Sequence, residues 1–249
     1  MKVIIPAAGY ATRLYPLTKN KPKALLKVKG RPIIEHIIQR ICELPDAQEI
    51  FLVTNARFNS NFTRWLKRFG AKSRLPIKVL NDGTTDNGSR LGQVGDIQFV
   101  VEKEKIKGDL LVVAGDNIFN FSLLPCAHFF RKKNTIVNAL WDSRSLDVAK
   151  QQGIGVVDET GRFVDFQEKS PEPKSTLTSL GIYFFPASEV PLLKRFIGEG
   201  NNADKMGYFM VWLIKNSVVY GYAYHEKWFD IGWPEALHRA EGEFALMEP

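Results

Sequence analysis

The feature that most constrains the fold is an alternation of short β-branched runs with amphipathic helical stretches along the first half of the chain. Lys2–Pro6 is a β-branched apolar run, and Pro32–Ile41 carries apolar residues at helical spacing. Further strand-like runs, separated by helical material, are Glu49–Thr54, Ile77–Leu80 and Asp109–Ala114. This order predicts βαβ units, so we expect residues 1–135 to form a doubly wound α/β core with a mostly parallel sheet.

From about Ile136 the pattern changes to short strands separated by turns. Gly155–Asp158 and Arg162–Phe166, with a turn between them, predict a β-hairpin, and Leu180–Phe185 predicts another strand. We expect this portion, residues 136–249, to be more antiparallel. The one linker-like stretch, Ser170–Lys174, is too short to separate independent domains, which predicts a single domain over residues 1–249.

A net charge of +7 suits nucleic acid, an anionic membrane or a small polyphosphate. The basic residues are scattered, and the tightest cluster, Arg131–Lys133, has no interleaved aromatic side chains for stacking on bases. The apolar run Val3–Ala8 is interrupted by Pro6 and is too short for a secretion signal or a membrane span. We therefore expect a cytoplasmic chain with no nucleic-acid or membrane partner.

Cysteine and histidine spacing excludes two further classes of site. Cys42 and Cys126 have no paired spacing, which predicts reduced thiols and no disulfide framework. The four histidines lie too far apart in the sequence for a zinc pattern.

The loop after the first strand indicates anion binding. In an open α/β sheet, ligands bind at the carboxyl ends of the strands, and small residues such as Ala8 and Gly9 let backbone N–H groups approach phosphate oxygens. The glycine motifs of dinucleotide-binding folds and P-loop hydrolases are both missing from the sequence. Arg13 and Lys23 follow the loop, and two permanent cations there predict contacts with a polyphosphate.

A carboxylate follows another core strand. Asp116 comes just after the apolar run that ends at Ala114, so it is expected at the carboxyl edge of the sheet. A carboxylate in that place can hold a hard divalent cation without being buried.

At these positions the sequence resembles the sugar-1-phosphate nucleotidylyltransferases, typified by glucose-1-phosphate thymidylyltransferase. The match begins with Gly9–Thr18 and Lys21–Lys23, which are similar to the family signature G-x-x-T-R-L-x-P-L-T followed by P-K, although Ala11 replaces a usual glycine. It continues in order through Ala114–Ile118, Phe166–Lys169, Leu180–Tyr183 and Trp228–Gly232, with Ser170 in place of the usual proline. The segment Asn81–Gly92, where the family binds the base, does not match the thymidylyltransferase pattern, so the base is left open.

The resemblance implies a Rossmann-like nucleotidyltransferase fold, with a nucleotide-binding core at residues 1–135 and a sugar-phosphate-binding portion at 136–249. It implies transfer of a nucleoside monophosphate from an NTP to a sugar 1-phosphate, with release of pyrophosphate. The nucleotide would be bound by Ala8, Gly9, Arg13, Lys23, Asn81, Gly92 and Asp116, and the sugar phosphate by Gly155, Glu168, Lys169, Gly181 and Tyr183.

The roles implied by the resemblance are mainly electrostatic. Arg13 would face the leaving phosphates, Lys23 the α-phosphate and Lys169 the phosphate of the incoming sugar, and Asp116 with Asp230 would hold Mg²⁺. Because a phosphate monoester is already largely ionised at neutral pH, its second pKa being about 6, no general base is needed. Arg13, Lys23, Asp116 and Lys169 are thus the expected catalytic residues.

Two other functions remain compatible with the sequence. One is a cytidylyltransferase acting on phosphocholine or another non-sugar phosphate. An alkylammonium head group would need aromatic walls, which Tyr183, Trp228 and Trp233 could supply, whereas Glu168 and Lys169 favour a sugar phosphate. A non-catalytic sensing module would be expected to lack a metal carboxylate or Arg13, and the chain has them all. The sugar, the pathway and homo-oligomer formation are left open by the sequence.

Overall fold

The computed structural model describes residues 1–244. The helices are α1 (Ile33–Ile41), α2 (Asn59–Phe69), α3 (Gln93–Lys103), α4 (Leu124–Lys133), α5 (Leu146–Ala149), α6 (Leu192–Gly198), α7 (Met206–Asn216) and α8 (Pro234–Glu243). The strands are β1 (Lys2–Pro6), β2 (Lys27–Val28), β3 (Arg31–Pro32), β4 (Glu49–Thr54), β5 (Ile77–Asn81), β6 (Leu110–Val113), β7 (Asn117–Phe119), β8 (Ile136–Asp142), β9 (Gly153–Val157), β10 (Phe163–Glu168), β11 (Leu177–Phe185), β12 (Val219–Tyr224) and β13 (Trp228–Asp230).

The first half of the chain supplies the parallel part of a nine-stranded sheet. β1 pairs in parallel with β4 on one side and with β6 on the other, and β5 pairs in parallel with β4. Apolar side chains along β1 alternate between two buried faces, with Val3 and Ile5 in one core and Ile4 in the other. A strand buried on both faces in this way is typical of a parallel sheet covered by helices.

The second half extends the same sheet with antiparallel pairs. β11 pairs antiparallel with β6, and β8 then pairs antiparallel with β11. The hairpin β9–β10 branches from the beginning of β11, where Thr178 lies opposite Ile154. One pair departs from this trend, since β12 is parallel to β8.

Helices cover both faces of the sheet. Apolar residues of α1, α2, α4 and α8 join one core cluster, and those of α3, α6 and α7 join the other. The expected doubly wound α/β fold with a mostly parallel sheet is therefore confirmed. Across residues 1–244, no helix combines the length and the apolar character needed to cross a membrane.

Candidate active site

A cleft of about 560 Å³ opens where β1 and β6 end, and both halves of the chain line it. The fold brings eleven of the residues expected from the sequence to this cleft: Ala8, Gly9, Arg13, Lys23, Gly92, Asp116, Glu168, Lys169, Gly181, Tyr183 and Asp230. These residues come from distant parts of the sequence, so their convergence is a property of the fold.

Hydrogen bonds to backbone groups of the loop after β1 fix this loop to the neighbouring strand β4 and the residue that follows it. The N–H of Ala7 donates to the carbonyl of Val53 at 2.9 Å, and the amide of Asn55 donates to the carbonyl of Ala8 at 2.6 Å. Ala11 adopts a left-handed conformation with φ 46°, and its carbonyl accepts a hydrogen bond of 2.8 Å from the hydroxyl of Thr18. Alanine thus takes a conformation that glycine adopts at lower cost, about 1–2 kcal/mol less.

Arg13 lies in a short 3₁₀ turn, Thr12–Leu14, whose last residue is buried in the core. Its guanidinium carbon lies 5.0 Å from the centre of the Trp233 ring. Stacking of this kind orients the planar guanidinium and leaves its N–H groups free to donate to oxygens in the cleft.

Lys23 lies in a second 3₁₀ turn and joins two carboxylates. Its ammonium nitrogen is 2.9 Å from Oδ2 of Asp116 and 3.9 Å from Oδ1 of Asp230. The Lys23 side chain is only 14% exposed, whereas those of Asp116 and Asp230 are 44% and 35% exposed. The two carboxylates are therefore more accessible from the cleft than the lysine that pairs with them.

A small two-stranded ribbon explains why the two carboxylates meet. β13 pairs antiparallel with β7, which places Asp230 opposite Asn117, the neighbour of Asp116. The N–H of Ile231 also donates to the carbonyl of Asp116 at 3.2 Å. The ribbon thus connects the end of β6 to a segment that comes more than a hundred residues later in the sequence.

The arrangement fits a hard divalent cation. Burial, and then the negative charge of Asp116, raise the pKa of Asp230, while Lys23 lowers it. Two carboxylates that repel each other gain from a cation between them. Within residues 1–244 no group of three or more His, Cys, Asp and Glu side chains is placed to hold a metal ion. Mg²⁺ commonly takes only one or two protein carboxylates and fills its other positions with water and phosphate oxygens.

Lys169 and Glu168 line the far side of the cleft at the end of β10. Lys169 has φ 52°, and its N–H donates to the carbonyl of Gln152 at 3.0 Å. Oε1 of Glu168 lies 3.4 Å from the ammonium of Lys205, just before α7. This side therefore carries two cationic groups and one carboxylate, a set that suits a phosphorylated polar ligand.

The floor between the two sides is shaped by an irregularity in β11. Its register against β8 shifts between Ser179 and Tyr183, and Gly181 there has φ 69°. A methyl group at Gly181 would lie 2.8 Å from Cβ of Ala114, so glycine is required for this close approach. The Tyr183 hydroxyl lies 2.9 Å from the hydroxyl of Ser179, and burial raises the pKa of Tyr183.

Two residues expected in the site do not line the cleft. Asn81 ends β5, and its Oδ1 accepts a hydrogen bond of 2.9 Å from the N–H of Gly83. Gly155 lies in β9, where a methyl group would be 2.5 Å from Cε1 of Phe163. Gly155 therefore makes room for an aromatic ring inside the hairpin, and Gly153 lines the cleft in its place.

We expect Gly155→Ala to destabilise the protein by about 1–3 kcal/mol, because the added methyl group overlaps a buried phenylalanine ring. The measurement is the urea midpoint of unfolding. Gly108→Ala is a matched control, since a methyl group there meets no atom within 4 Å. A Gly155→Ala variant as stable as the wild type would contradict the packing role.

Several residues of the cleft were not expected from the sequence. Arg90 and Asp204 form a two-point ion pair, with Nε–Oδ1 and Nη2–Oδ2 distances of 2.8 and 3.1 Å. The backbone N–H groups of Gln93 and Val94 also donate to carbonyls of residues 204 and 203, at 3.0 Å each. These contacts join helix α3 to the segment before α7, and no local sequence pattern predicts them.

The fold and the cleft define the class of protein: a doubly wound α/β chain whose strand ends bring cations and paired carboxylates to one site. A model of the nucleotidyl transferase family matches residues 2–245. The chain therefore belongs to the nucleotidyl transferase family, and the resemblance inferred from its motifs is confirmed.

Sequence identity to individual relatives is low, between 23% and 28% for three of them. Over 234 residues the chain is 28% identical to the bifunctional protein GlmU of Methanocaldococcus jannaschii, covering 94% of this chain but only 52% of that protein. It is 26% identical to the UTP–glucose-1-phosphate uridylyltransferase AglF of Haloferax volcanii, covering 100% of this chain and 97% of the relative. Its fold matches that of a Bacillus anthracis protein assigned as a glucose-1-phosphate thymidylyltransferase and solved with a sucrose, with TM-score 0.81, 23% identity and coverage of 100% and 98%.

Proposed function

We propose that this protein is a Mg²⁺-dependent sugar-1-phosphate nucleotidylyltransferase. It transfers a nucleoside monophosphate from an NTP to a sugar 1-phosphate, releasing pyrophosphate and forming an NDP-sugar. The observation that carries the proposal is the contact of Lys23 with both Asp116 and Asp230, in one cleft with Arg13 and Lys169. The name of AglF, a relative of matching length, specifies the same kind of reaction for that protein.

The nucleotide side of the cleft supports the triphosphate. The phosphates would lie against the loop after β1, where Arg13 donates to the departing pyrophosphate and Lys23 to the α-phosphate. Asp116 and Asp230 would hold Mg²⁺, which supplies neutralisation of the phosphate charge. Together these groups stabilise the charge that develops when the bond from the α-phosphorus to pyrophosphate breaks.

The opposite side of the cleft supports the acceptor. Lys169 would bind and orient the phosphate of the sugar, so that one of its ionised oxygens attacks the α-phosphorus in line with the leaving group. Glu168 would accept hydrogen bonds from sugar hydroxyls. Since the attacking oxygen is already ionised, this mechanism moves no proton at the reacting atoms.

Phosphocholine fits this cleft less well than a sugar phosphate. Within residues 1–244, three aromatic residues line the cleft, and these, Phe166, Tyr183 and Trp228, are only 4%, 3% and 6% exposed. Trp233 is 53% exposed, but Arg13 stacks on it. An alkylammonium group needs open aromatic faces, and the acceptor side offers lysines instead.

The experiment that tests this function is a pyrophosphate-release screen. ATP, GTP, CTP, UTP and dTTP are each combined with a panel of sugar 1-phosphates and with phosphocholine, in the presence of Mg²⁺. Release that depends on one NTP and one sugar 1-phosphate supports the proposal. Turnover of CTP with phosphocholine would support the cytidylyltransferase instead, and nucleotide binding without turnover would indicate a sensing module.

Lys169→Ala is expected to raise KM for the sugar phosphate about tenfold or more, because a hydrogen bond to a charged group contributes ~1.5–3 kcal/mol. KM for the NTP should change much less, since Lys169 lies on the acceptor side. Steady-state constants for both substrates measure this difference. Lys174→Ala is the matched control, because Lys174 is 67% exposed and pairs with Asp165. Unchanged sugar-phosphate constants would make Lys169 a solvated surface residue.

A further inference from the structure

One acidic side chain in the wall of the cleft, Asp96, is paired with a second carboxyl group, that of Asp82, and the proposed reaction uses neither of them. Asp96 lies in the first turn of α3, lines the cleft and is 6% exposed. Asp82 directly follows β5 and lies within hydrogen-bonding reach of the Asp96 carboxyl group. Two carboxylates this close would repel each other strongly if both were ionised.

The hydrogen bonds of the pair are incomplete. Oδ1 of Asp82 accepts from the N–H and the hydroxyl of Thr84, at 2.7 and 2.8 Å. Oδ2 of Asp82 and Oδ1 of Asp96 are both buried, and neither has a hydrogen-bond partner among residues 1–244. Buried polar atoms without partners are rare in folded proteins. A proton shared between the two carboxyl groups would give each of these oxygens its partner.

Among residues 1–244, the groups around the pair supply no counter-ion to Asp96. Burial and the charge of Asp82 together raise the pKa of Asp96 to about 8. On the neighbouring elements, Tyr10 of the loop after β1 faces Thr84 and Asp82. The charges of Arg57 and Asp86 lie close enough to Tyr10 to lower and to raise its pKa, respectively. Arg90, the next cation along the wall, is occupied by Asp204. At neutral pH the Asp96 carboxyl group therefore keeps its proton.

The position of the pair indicates which part of a substrate it meets. In the proposed complex Arg13 and Lys23 would hold the phosphates at the end of β1. Lys169, which would hold the acceptor, follows β10, and β10 lies on the same side of β1 as β11 and β6. Asp82 and Asp96 follow β5, on the other side. A nucleotide with its phosphates at Arg13 is left with the α3 wall for its nucleoside.

We propose that Asp96 contacts the nucleoside of the NTP as a neutral acid whose O–H donates a hydrogen bond to Asp82. This inference rests on the proposed function. With its proton directed to Asp82, Asp96 can accept a hydrogen bond from an N–H of the base or a hydroxyl of the ribose. Its neutrality also keeps a negative charge away from the triphosphate, so ionisation of Asp96 weakens NTP binding.

The shared proton is tested without any ligand, by the dependence of the unfolding midpoint on pH. The pKa of Asp96 is higher in the folded state than its unfolded value of about 3.9. Its contribution to the stability of the protein therefore falls as pH rises from about 4 to about 8. Asp96→Asn keeps the shape and donates to Asp82 without titrating. We expect the variant to gain stability relative to the wild type as pH rises, with the difference levelling off above about pH 9.

Glu102→Gln is the matched control, since Glu102 lies on the same helix with its side chain 57% exposed. It should follow the wild-type pH dependence. An Asp96→Asn variant whose stability runs parallel to that of the wild type at all pH values would overturn the shared proton.

The nucleoside contact is tested by calorimetric titration with Mg²⁺ and each of UTP, dTTP, CTP, GTP and ATP at pH 7 and pH 9. For the NTP that binds best, the wild type should lose up to about tenfold in affinity, which is the fall in the protonated fraction one unit above a pKa of about 8. Asp96→Asn should lose this pH dependence. In Asp82→Asn the side-chain amide donates a hydrogen bond to Asp96 and favours the ionised form of Asp96. This variant should therefore bind the NTP weakly already at pH 7.

The outcomes separate the two ideas. If the wild type and Asp96→Asn lose affinity in parallel, Asp96 does not contact the nucleoside, whatever the reaction is. If none of the five nucleotides binds, the nucleoside contact and the proposed function both fail, while the unfolding data still decide the shared proton.

Discussion

Asp116→Asn is expected to lower the maximal rate of pyrophosphate release by about 10²-fold or more, the usual cost of removing one central electrostatic group. The asparagine keeps the shape of the side chain but removes half of the paired negative charge that faces Lys23. The Asp116 side chain is 44% exposed, so folding should not depend on its charge. Rates over a Mg²⁺ titration, together with the thermal unfolding midpoint, measure both effects.

Asp147→Asn is the control for this experiment. Asp147 is 89% exposed on α5 and pairs with Lys150, so its charge should not affect the rate. Activity of the wild type is expected to disappear on chelation and to return with added Mg²⁺. An Asp116→Asn enzyme with more than about a tenth of the wild-type rate would contradict a central role for this carboxylate.

Arg13→Ala is expected to have the largest effect, a loss of about 10³ to 10⁵ in kcat if Arg13 acts as transition-state arginines do. The negative charge on pyrophosphate grows as the bond to the α-phosphorus breaks, so a guanidinium at that point stabilises the transition state more than the bound NTP. KM for the NTP should rise as well, whereas KM for the sugar phosphate should change little. Steady-state kinetics with each substrate varied in turn provide the measurement.

Two further variants separate charge from orientation at this position. Arg13→Lys keeps a cation but loses the planar group that stacks on Trp233, so it should recover only part of the rate. Arg131→Ala controls for the loss of an arginine, because Arg131 pairs with Asp46 and does not line the cleft. A fall of less than tenfold for Arg13→Ala would place Arg13 away from the leaving group.

Much of the fold could be predicted from the sequence because its central strands are apolar and fully buried. Lys2–Pro6 and Glu49–Thr54 are strands with the predicted bounds, since no other element suits short β-branched runs of that kind. The sequence predicts that the first strand of the hairpin begins at Gly155, whereas the strand begins two residues earlier, at Gly153. Strand ends depend on pairing with β10, and that pairing is not encoded locally.

The role of Lys169 is implied only by the family resemblance, whereas the place of Asp116 at the edge of the sheet could be predicted, because Asp116 comes three residues after the end of β6. The ribbon of β7 and β13 could not, because three-residue strands give no pattern and their pairing spans the second half of the chain. Gly155 shows a further reason. A glycine in a strand can mark a ligand or a large neighbouring side chain, and only the position of Phe163 distinguishes the two.

The place of β11 in the sheet has a consequence for how the protein is made. β6 pairs with β1 on one edge and with β11 on the other, so its second edge is covered only by residues synthesised later. Between the synthesis of Val113 and that of Phe185, which pairs with the first residue of β6, this edge of β6 has no partner strand and leaves a row of N–H and C=O groups unpaired. Such an edge is a template for pairing with other chains. The interval of greatest aggregation risk on the ribosome therefore lies between these two residues.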